Sequence, residues 1–321
     1  MVMKNRRILI LGAGGFVGQH LIRDLQTRFG ASADIVATGR QGGSGLIALD
    51  LSDDAALRDM LSNLKPTHIV NLVGIAAPVE AHEKPALAWE LHAIAPQRLG
   101  HLILDIVPHC WLLHVGSGLV YGRTALDLSP IVENAILSPV DTYGVTKAAG
   151  DLVVGALAEE GLRCLRLRPF NHIGPDQSER FAIPSFALQI ARIEAGLQPP
   201  VLKTGSLDSV RDVLDVRDVV AAYGQLIAQS EQLTSGSIFN ISSGTGWEMS
   251  VLLKKLISNS DLEITVEPEP TRQRKNDLPK LIGDASALRS AISWAPKYSI
   301  HQTLRDIMKF SRELTRATRS S

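Results

Sequence analysis

The chain has 321 residues, 45% of them hydrophobic and 21% charged, which is enough for a sizeable core and typical of an ordinary soluble globular protein. Basic and acidic residues number 33 each, so the charge balance gives no reason to expect nucleic acid or a membrane as a partner. No apolar run reaches membrane length, the two cysteines are typical of a reducing compartment, and the histidines show no metal-ligand spacing, so we expect a cytoplasmic protein without a metal site.

The amino-terminal stretch predicts a strand, a glycine turn and a helix. The apolar run 8–11 is typical of a strand buried on both faces, and helical spacing follows the turn. Gly12, Gly15 and Gly18 lie three apart, and Gly14 also completes the G-x-G register from Gly12. Such a turn brings backbone N–H groups close to a pyrophosphate at the helix N-terminus, although a glycine-rich turn without a ligand has the same sequence. The contacts predicted for a dinucleotide here are Gly12, Gly15, Phe16 and Val17.

The end of the second strand, 34–40, predicts the choice of cofactor. A dinucleotide fold places there the residue that meets the adenosine ribose, and an acid at this point holds the 2′-hydroxyl of NAD. This sequence has Arg40 beside a glycine-rich loop, which suits a 2′-phosphate, so we favour NADP (as NADPH) over NAD. Further cofactor contacts are expected after the third and fourth strands, at Asp50, Leu51, Leu72, Val73 and Gly74.

Local signals also divide the stretch between residues 46 and 104. A short third strand at 46–51 leads into a helix at 53–64, for which Ser52 is a possible cap. Pro96 is expected to kink or restart the helical pattern of 83–104, because proline cannot continue the hydrogen-bond ladder.

A serine and a tyrosine–lysine pair form the candidate catalytic group. Ser117 stands just past the carboxyl end of the strand 111–115, where parallel sheets bind ligands. Tyr143 and Lys147 are four residues apart, which on a helix places both on one face. A free phenol is too weak an acid for proton transfer at neutral pH, and a neighbouring ammonium is expected to lower the pKa of Tyr143. A Y-x-x-x-K pair is common in helices, so its weight comes from Ser117 and the upstream glycine turn.

The alternation of strands and helices predicts an α/β fold, a Rossmann-type doubly wound parallel sheet with a smaller C-terminal α/β lobe. The remaining predicted strands are the fourth, at 68–74, and those at 161–167 and 237–241, and the remaining helices are 181–194, 215–228, 249–257 and 300–314. We expect the cofactor domain in 1–168 with a return at 211–243, the substrate lobe in 169–210 and 244–300, and a C-terminal helix and tail in 301–321.

Together these motifs resemble the extended short-chain dehydrogenase/reductase family, in its sugar-nucleotide branch. The family-wide features are the glycine turn, the Ser117, Tyr143 and Lys147 set, and the run 168–171. A narrower similarity, to the reductases of GDP-4-keto-6-deoxyhexoses, lies in the runs 168–175, 178–196, 211–219 and 281–283. The resemblance extends from about residue 6 to residue 310, nearly the whole chain.

The resemblance implies NADPH-dependent reduction of the 4-keto group of a GDP-4-keto-6-deoxyhexose, giving GDP-D-rhamnose or its C4 epimer GDP-6-deoxy-D-talose. Tyr143 would donate the proton to O4, Ser117 a second hydrogen bond, and Lys147 would hold the nicotinamide ribose. It also implies a homodimer that pairs through helices at about 85–104 and 143–160.

The same resemblance implies the residues that face the two ligands. Arg211 and Arg274 are candidates for the substrate pyrophosphate, because a guanidinium pairs with phosphate oxygens bidentately. Phe170 is expected at the cofactor. The full substrate set is Ser117, Gly118, Asn171, Arg211 and Arg274.

Departures from the family pattern narrow the function and leave two alternatives. Dehydratases of this branch carry an acid pair directly after the active-site Ser or Thr, whereas Gly118 and Leu119 cannot transfer a proton. A sugar-nucleotide 4-epimerase with tightly held NAD needs the same Ser, Tyr and Lys set and stays open. A non-catalytic NADP-binding regulator is the second alternative. His92 stands where the family usually has asparagine, and as a lone histidine it is more often structural.

Overall fold

Thirteen strands and twelve α-helices follow one another in residues 6–272 and 278–320, which the computed structural model describes. The strands are β1 (Arg6–Leu11), β2 (Ala33–Gly39), β3 (Ile47–Ala48), β4 (His68–Asn71), β5 (Trp111–Val115), β6 (Cys164–Pro169), β7 (Asn171–Ile173), β8 (Val201–Thr204), β9 (Val210–Asp215), β10 (Ile238–Ile241), β11 (Gly246–Glu248), β12 (Thr265–Pro268) and β13 (Lys280–Leu281). The helices are α1 (Phe16–Phe29), α2 (Asp54–Leu64), α3 (Pro78–Glu83), α4 (Pro85–Trp89), α5 (Ala95–Ile106), α6 (Thr124–Asp127), α7 (Thr142–Glu159), α8 (Ala182–Glu194), α9 (Val216–Gln229), α10 (Met249–Ile257), α11 (Ser286–Ile292) and α12 (Ile300–Ser320).

The central sheet has seven strands in the order β10-β6-β5-β4-β1-β2-β3, and every neighbouring pair is parallel. Strand β1 lies between β2 and β4, with Leu9 opposite Val36 on one side and Ile69 on the other. The strand order reverses at β1, and in such sheets the crevice beyond the carboxyl ends at this point holds the ligand. The predicted fold class, a doubly wound parallel sheet, is confirmed.

Alternate residues of β1 pack into two separate cores, which explains why its apolar run is uninterrupted. Ile8 and Ile10 face a layer that contains α1 and α9. Leu9 and Leu11 face a layer that contains α2, α5 and α7. The sheet is therefore covered by helices on both faces, and only its edges and strand ends remain for function.

The rest of the chain forms a smaller layer beyond the carboxyl ends of the main sheet. Strand β9 pairs with β7, β11 and β13, while β8 pairs with β12. Helices α8, α10 and α12 pack against these strands around a third core. Helix α12 runs to Ser320, past the predicted end at residue 314, and its buried Leu304, Ile307 and Met308 join the core of α8.

Two local predictions can be compared with the structure. Asp53, not Ser52, caps α2, because the Asp53 carboxylate accepts from the N–H of Ala56 at 3.0 Å, whereas the Ser52 hydroxyl donates to Asp50. The break at Pro96 is confirmed: a π-helical turn at Glu90–Ile94 lies between α4 and α5, and Pro96, which has no N–H to donate, follows it in the first turn of α5.

Within the described residues, no helix is both long and apolar enough to cross a membrane, and no cluster of three or more His, Cys, Asp or Glu could hold a metal ion. Cys110 and Cys164 are both free and buried. Burial raises the pKa of the Cys164 thiol to about 11, so it stays protonated and unreactive.

Three buried histidines make the fold sensitive to acid. Burial lowers the pKa of His68 to about 4, of His92 to about 3 and of His114 to about 4. His68 lies at the amino end of β4, where its Nε2 is 3.0 Å from the hydroxyl of Ser230. Because the unfolded chain binds a proton at each of these side chains near its ordinary pKa and the folded chain does not, stability falls as the pH drops below that value.

We predict that His68 alone accounts for roughly 2 kcal/mol of unfolding free energy lost between about pH 7 and pH 5. His68→Gln keeps a hydrogen-bonding side chain without the titration, so its stability should lose that much less over the same interval. Urea unfolding at the two pH values measures this difference. The exposed His101→Gln is the control and should follow the wild type. Equal pH dependence in His68→Gln and the wild type would contradict the prediction.

Candidate active site

The turn after β1 has the form of a pyrophosphate cradle. Gly12 has φ +76°, and a Cβ there would lie 3.0 Å from the N atom of Val73, in the loop that leaves β4. A Cβ at Gly18 would overlap the carbonyl oxygen of Ala13, so only glycine lets α1 start this close to the turn. Gly15 is the N-cap of α1, and no described side chain caps that helix. The first N–H groups of α1, at Phe16 and Val17, therefore face outward and suit an anionic ligand.

The residues predicted to meet the adenosine half of the cofactor lie together at the sheet edge formed by β2 and β3. Arg40 directly follows β2, its side chain is 80% exposed, and its Nε lies 3.4 Å from the Asp50 carboxylate. Hydrogen bonds from the backbone and side chain of Ser52 lower the pKa of Asp50, and Arg40 lowers it further. The Leu51 side chain is buried in the core, and its carbonyl oxygen accepts from Arg98 at 2.9 Å. Arg40 is thus an accessible cation at the point where a 2′-phosphate would lie.

The loop after β4 connects this turn to the catalytic helix. The side-chain Oδ1 of Asn71 accepts from the N–H of Val73 at 3.1 Å, which fixes the direction of the loop through Leu72. Gly74 has φ +158°, and a Cβ there would lie 3.3 Å from the Nζ of Lys147. The stretch 72–74 therefore lies between the glycine turn and Lys147, as a surface along which a cofactor could lie.

Ser117, Tyr143 and Lys147 lie together at the carboxyl edge of the main sheet. Ser117 follows β5, and α7 begins at Thr142 because the Asp141 carboxylate accepts from the N–H of Gly144 at 2.7 Å. All three side chains are buried. The Ser117 hydroxyl lies near enough to the Tyr143 phenol to lower its pKa, and the Lys147 ammonium donates to the carbonyl oxygen of Val115 at 3.1 Å.

The expected lowering of the Tyr143 pKa by Lys147 is not what this structure shows. Burial is the largest effect and raises the pKa of Tyr143, while the hydrogen bond from Ser117 lowers it in part. Burial also lowers the pKa of Lys147 to about 8. Desolvation disfavours the charged form of each group. The Tyr143 phenol is therefore held protonated, and the Lys147 ammonium gives up its proton more readily than a solvated one.

His92 packs directly behind Tyr143, from the π-helical turn. Its Nε2 accepts from the N–H of Ile75 at 3.0 Å, its Nδ1 lies 2.8 Å from the Thr146 hydroxyl, and its ring meets that of Tyr143 edge-on with centroids 5.5 Å apart. Burial, with a smaller effect from Lys147, lowers the pKa of His92 to about 3. A neutral imidazole therefore ties the loop after β4 to the helix that carries Tyr143.

The predicted substrate residues lie on the smaller sheet and on the turn after Ser117. Asn171 begins β7 and is exposed, while Arg211 is buried in β9 and donates to the carbonyl oxygen of Val210 at 2.9 Å. Gly118 packs against the ring of Phe170, which is buried between that turn and Gly283. Arg274 lies outside the described residues.

Sequence analysis missed a pocket of about 500 Å³ between α8 and the β8–β12 pair. Arg192, Lys203 and Arg272 line it, and each also pairs with an acidic residue. These cations come from three separate segments of the chain, and no short motif brings them together. Strand β8 at Val201–Thr204 is not among the elements predicted from the sequence, so no sequence signal pointed to this place.

Comparison with known proteins agrees with this geometry. The family described as GDP-mannose 4,6 dehydratase matches residues 9–307. GDP-6-deoxy-D-mannose reductase of Pseudomonas aeruginosa is 33% identical over 304 residues, which are 94% of this chain and 96% of the relative. GDP-6-deoxy-D-talose 4-dehydrogenase of Aggregatibacter actinomycetemcomitans is 25% identical over 89% of this chain and 91% of the relative. The structure of RMD from Pseudomonas aeruginosa complexed with NADPH superposes with a TM-score of 0.86 at 30% identity, over 96% of this chain and 99% of that one.

The fold and the site define a nucleotide-sugar enzyme of the extended short-chain dehydrogenase/reductase type, as the motifs predicted. The chain belongs to the GDP-mannose 4,6-dehydratase family. Family membership does not fix the reaction, because Gly118 and Leu119 occupy the positions where an acid pair would be needed for dehydration.

Proposed function

We propose that this protein reduces the 4-keto group of a GDP-4-keto-6-deoxyhexose with NADPH, giving GDP-D-rhamnose or GDP-6-deoxy-D-talose. The observation that carries the proposal is the meeting of the Ser117 and Tyr143 hydroxyls beside Lys147, at the sheet edge next to the glycine turn. The names of the relatives in Pseudomonas and Aggregatibacter support the substrate class.

The residues at the sheet edge fit NADPH in both shape and charge. The outward N–H groups of α1 and the missing side chains at Gly12 and Gly15 leave room for the pyrophosphate. Arg40 would hold the 2′-phosphate, and Lys147 would donate to the nicotinamide ribose. When bound, NADPH supplies the hydride that is added to C4 of the sugar.

Tyr143 and Ser117 act on the oxygen of the same carbonyl. Burial raises the pKa of Tyr143, so at neutral pH the phenol carries the proton that O4 needs once negative charge develops there. The Ser117 hydroxyl offers a second hydrogen bond to O4 and stabilises that charge before the proton moves. Because the pKa of Lys147 is lowered to about 8, its ammonium can return a proton near neutral pH to the Tyr143 phenolate that this transfer leaves.

The smaller sheet would hold the substrate and the main sheet the cofactor, which is the proposed division of the chain into lobes. Arg211 stands in β9, where its guanidinium suits a diphosphate, and Asn171 is exposed on the neighbouring strand β7. Gly118 would approach the sugar with its backbone. Arg274 stays a sequence prediction for the same diphosphate.

We predict that Tyr143→Phe lowers kcat by about 10²- to 10⁴-fold, because the general acid is lost, and leaves the NADPH dissociation constant within about twofold. Steady-state kinetics and fluorescence titration measure the two quantities. Tyr298→Phe is the matched control, since it removes a tyrosine hydroxyl from a ring stacked under Arg217.

In the same assay, Arg211→Ala should raise KM far more than it lowers kcat. Unchanged turnover in Tyr143→Phe would contradict the catalytic assignment, and unchanged KM in Arg211→Ala would remove that residue from the substrate site.

For the cofactor, we predict that Arg40→Ala weakens NADPH binding by about 10- to 100-fold, the value of a hydrogen bond to a charged group, without weakening NADH binding. Isothermal titration with both dinucleotides tests this. Arg58→Ala, which removes another exposed arginine paired with an acid, is the control. Equal losses for NADPH and NADH would show that Arg40 does not contact the 2′-phosphate.

A homodimer is also part of the proposal. Large apolar side chains are exposed on the neighbouring helices α4 and α7 and on the π-helical turn that follows α4; they are Trp89, Ile94, Val145 and Leu152. Leu152, 59% exposed, lies in the middle of α7, and a second copy of the same helices would cover this stripe. A cytoplasmic location stays a prediction from composition.

We predict that Leu152→Glu shifts the protein from dimer to monomer in sedimentation equilibrium, because a carboxylate cannot be buried against a second copy without a partner. Leu128→Glu places the same charge at another exposed leucine, outside these helices, and should leave the dimer intact. A monomeric wild type, or a dimeric Leu152→Glu, would remove this part of the proposal.

A further inference from the structure

Helix α7 carries a third polar side chain in line with the catalytic pair. Tyr143, Lys147 and Asp151 follow one another at intervals of four residues, so they share one face of the helix. Asp151 is fully buried two turns beyond Tyr143. Its carboxylate accepts from Nη2 of Arg168 at 2.7 Å and from Nε at 3.3 Å. The far end of the catalytic face is thus anchored to β6.

Arg168, which holds Asp151, also hydrogen-bonds to the buried Tyr121. Its Nη1 donates to the Tyr121 hydroxyl at 2.9 Å, and its guanidinium carbon lies 5.1 Å from the centre of the Tyr121 ring. The Tyr121 hydroxyl in turn donates to the carbonyl oxygen of the Asn240 side chain at 2.6 Å. Tyr121 is therefore held from both sides, and neither of its hydroxyl partners belongs to its own turn.

Tyr121 ends the short 3-10 turn that Ser117 begins. The Ser117 hydroxyl accepts from the N–H of Leu119 at 3.1 Å, and Gly118–Tyr121 form the turn. The Phe170 ring stacks on Tyr121, with centroids 6.3 Å apart, and also covers Gly118. Ser117 and Tyr121 are therefore the two ends of one short turn, so a shift of Tyr121 also moves the Ser117 backbone.

These contacts form a closed ring. The turn after Ser117 packs against the start of α7, where a Cβ at Gly144 would lie 3.1 Å from the carbonyl oxygen of Leu119. Helix α7 leads from Tyr143 to Asp151, hydrogen bonds lead from Asp151 through Arg168 to Tyr121, and the turn leads from Tyr121 back to Ser117. We infer that Tyr121 is a positioning residue, whose hydroxyl fixes where the Ser117 oxygen lies relative to that of Tyr143. This inference rests on the proposed function, in which both oxygens act on one carbonyl.

The ring also extends to the substrate side. The Asn240 amide donates to the carbonyl oxygens of Ile131 at 2.9 Å and of Asp284 at 3.2 Å, and Asp284 follows β13 by three residues. Asn240 therefore joins the turn of Ser117 to the segment that leaves the smaller sheet. Removing the Tyr121 hydroxyl disconnects the Ser117 turn from both Arg168 and Asn240.

A double-mutant cycle tests whether Tyr121 acts through Ser117. We expect Tyr121→Phe to lower kcat by roughly 10- to 100-fold, the cost of a misplacement of about 1 Å, with KM and NADPH affinity within about twofold. We expect Ser117→Ala to lower kcat by about 100-fold or more. In the double variant, kcat should match that of Ser117→Ala within about twofold, because no serine oxygen is left to misplace.

Ser230→Ala is the matched control. It removes a buried hydroxyl that bonds to His68 at the amino ends of the strands, away from the candidate site. The kcat of this variant should equal that of the wild type. Asn240→Ala, which removes the acceptor of the Tyr121 hydroxyl, is carried through the same cycle. If circular dichroism shows that Tyr121→Phe is unfolded, the kcat values of the Asn240→Ala cycle test the inference in its place.

The outcomes separate the inference from the proposed function. If Ser117→Ala keeps wild-type turnover, the proposed role of Ser117 is wrong. If Ser117→Ala is impaired but Tyr121→Phe is not, or if the losses multiply in the double variant, Tyr121 does not act through Ser117 and the inference is overturned.

Discussion

Burial of the Tyr143 hydroxyl beside that of Ser117 is the constraint on which the rest of the site depends. Two elements far apart in the sequence bring them there, the end of β5 and the capped start of α7. Because the site is buried, the phenol keeps its proton. An acid that is protonated and aimed at one point is what ketone reduction requires at neutral pH.

The surroundings of this pair are arranged so that a dinucleotide and a sugar can reach it from opposite sides. The glycine turn packs against the loop 72–74, and that loop reaches Lys147. On the other side, the turn after Ser117 packs through Phe170 and Gly283 against the smaller sheet that carries Arg211. Gly118 and Leu119 stand at this junction where dehydration would need an acid pair.

Much of this arrangement could be predicted from the sequence, and the exceptions have physical causes. Strand β5, helix α10 and the Tyr143–Lys147 face follow from periodicity alone, and the glycine turn follows from spacing. The direction in which the Tyr143 pKa shifts could not be predicted from the sequence, because desolvation depends on the whole fold rather than on a neighbour four residues away. The Tyr121–Arg168–Asp151 contacts could not be predicted either, because they join three separate segments of the chain. The helix cap is Asp53 and not Ser52 because the Ser52 hydroxyl bonds to Asp50 instead.

The most direct test of the central claim is a stoichiometric one. The wild-type protein is incubated with GDP-4-keto-6-deoxy-D-mannose and NADPH, NADPH oxidation is followed by absorbance, and the sugar product is identified by NMR. The account predicts that one NADPH is oxidised for each sugar that gains a hydroxyl and a hydrogen at C4. Disappearance of the keto sugar with no oxidation of NADPH, or no conversion of the keto sugar at all, would contradict it.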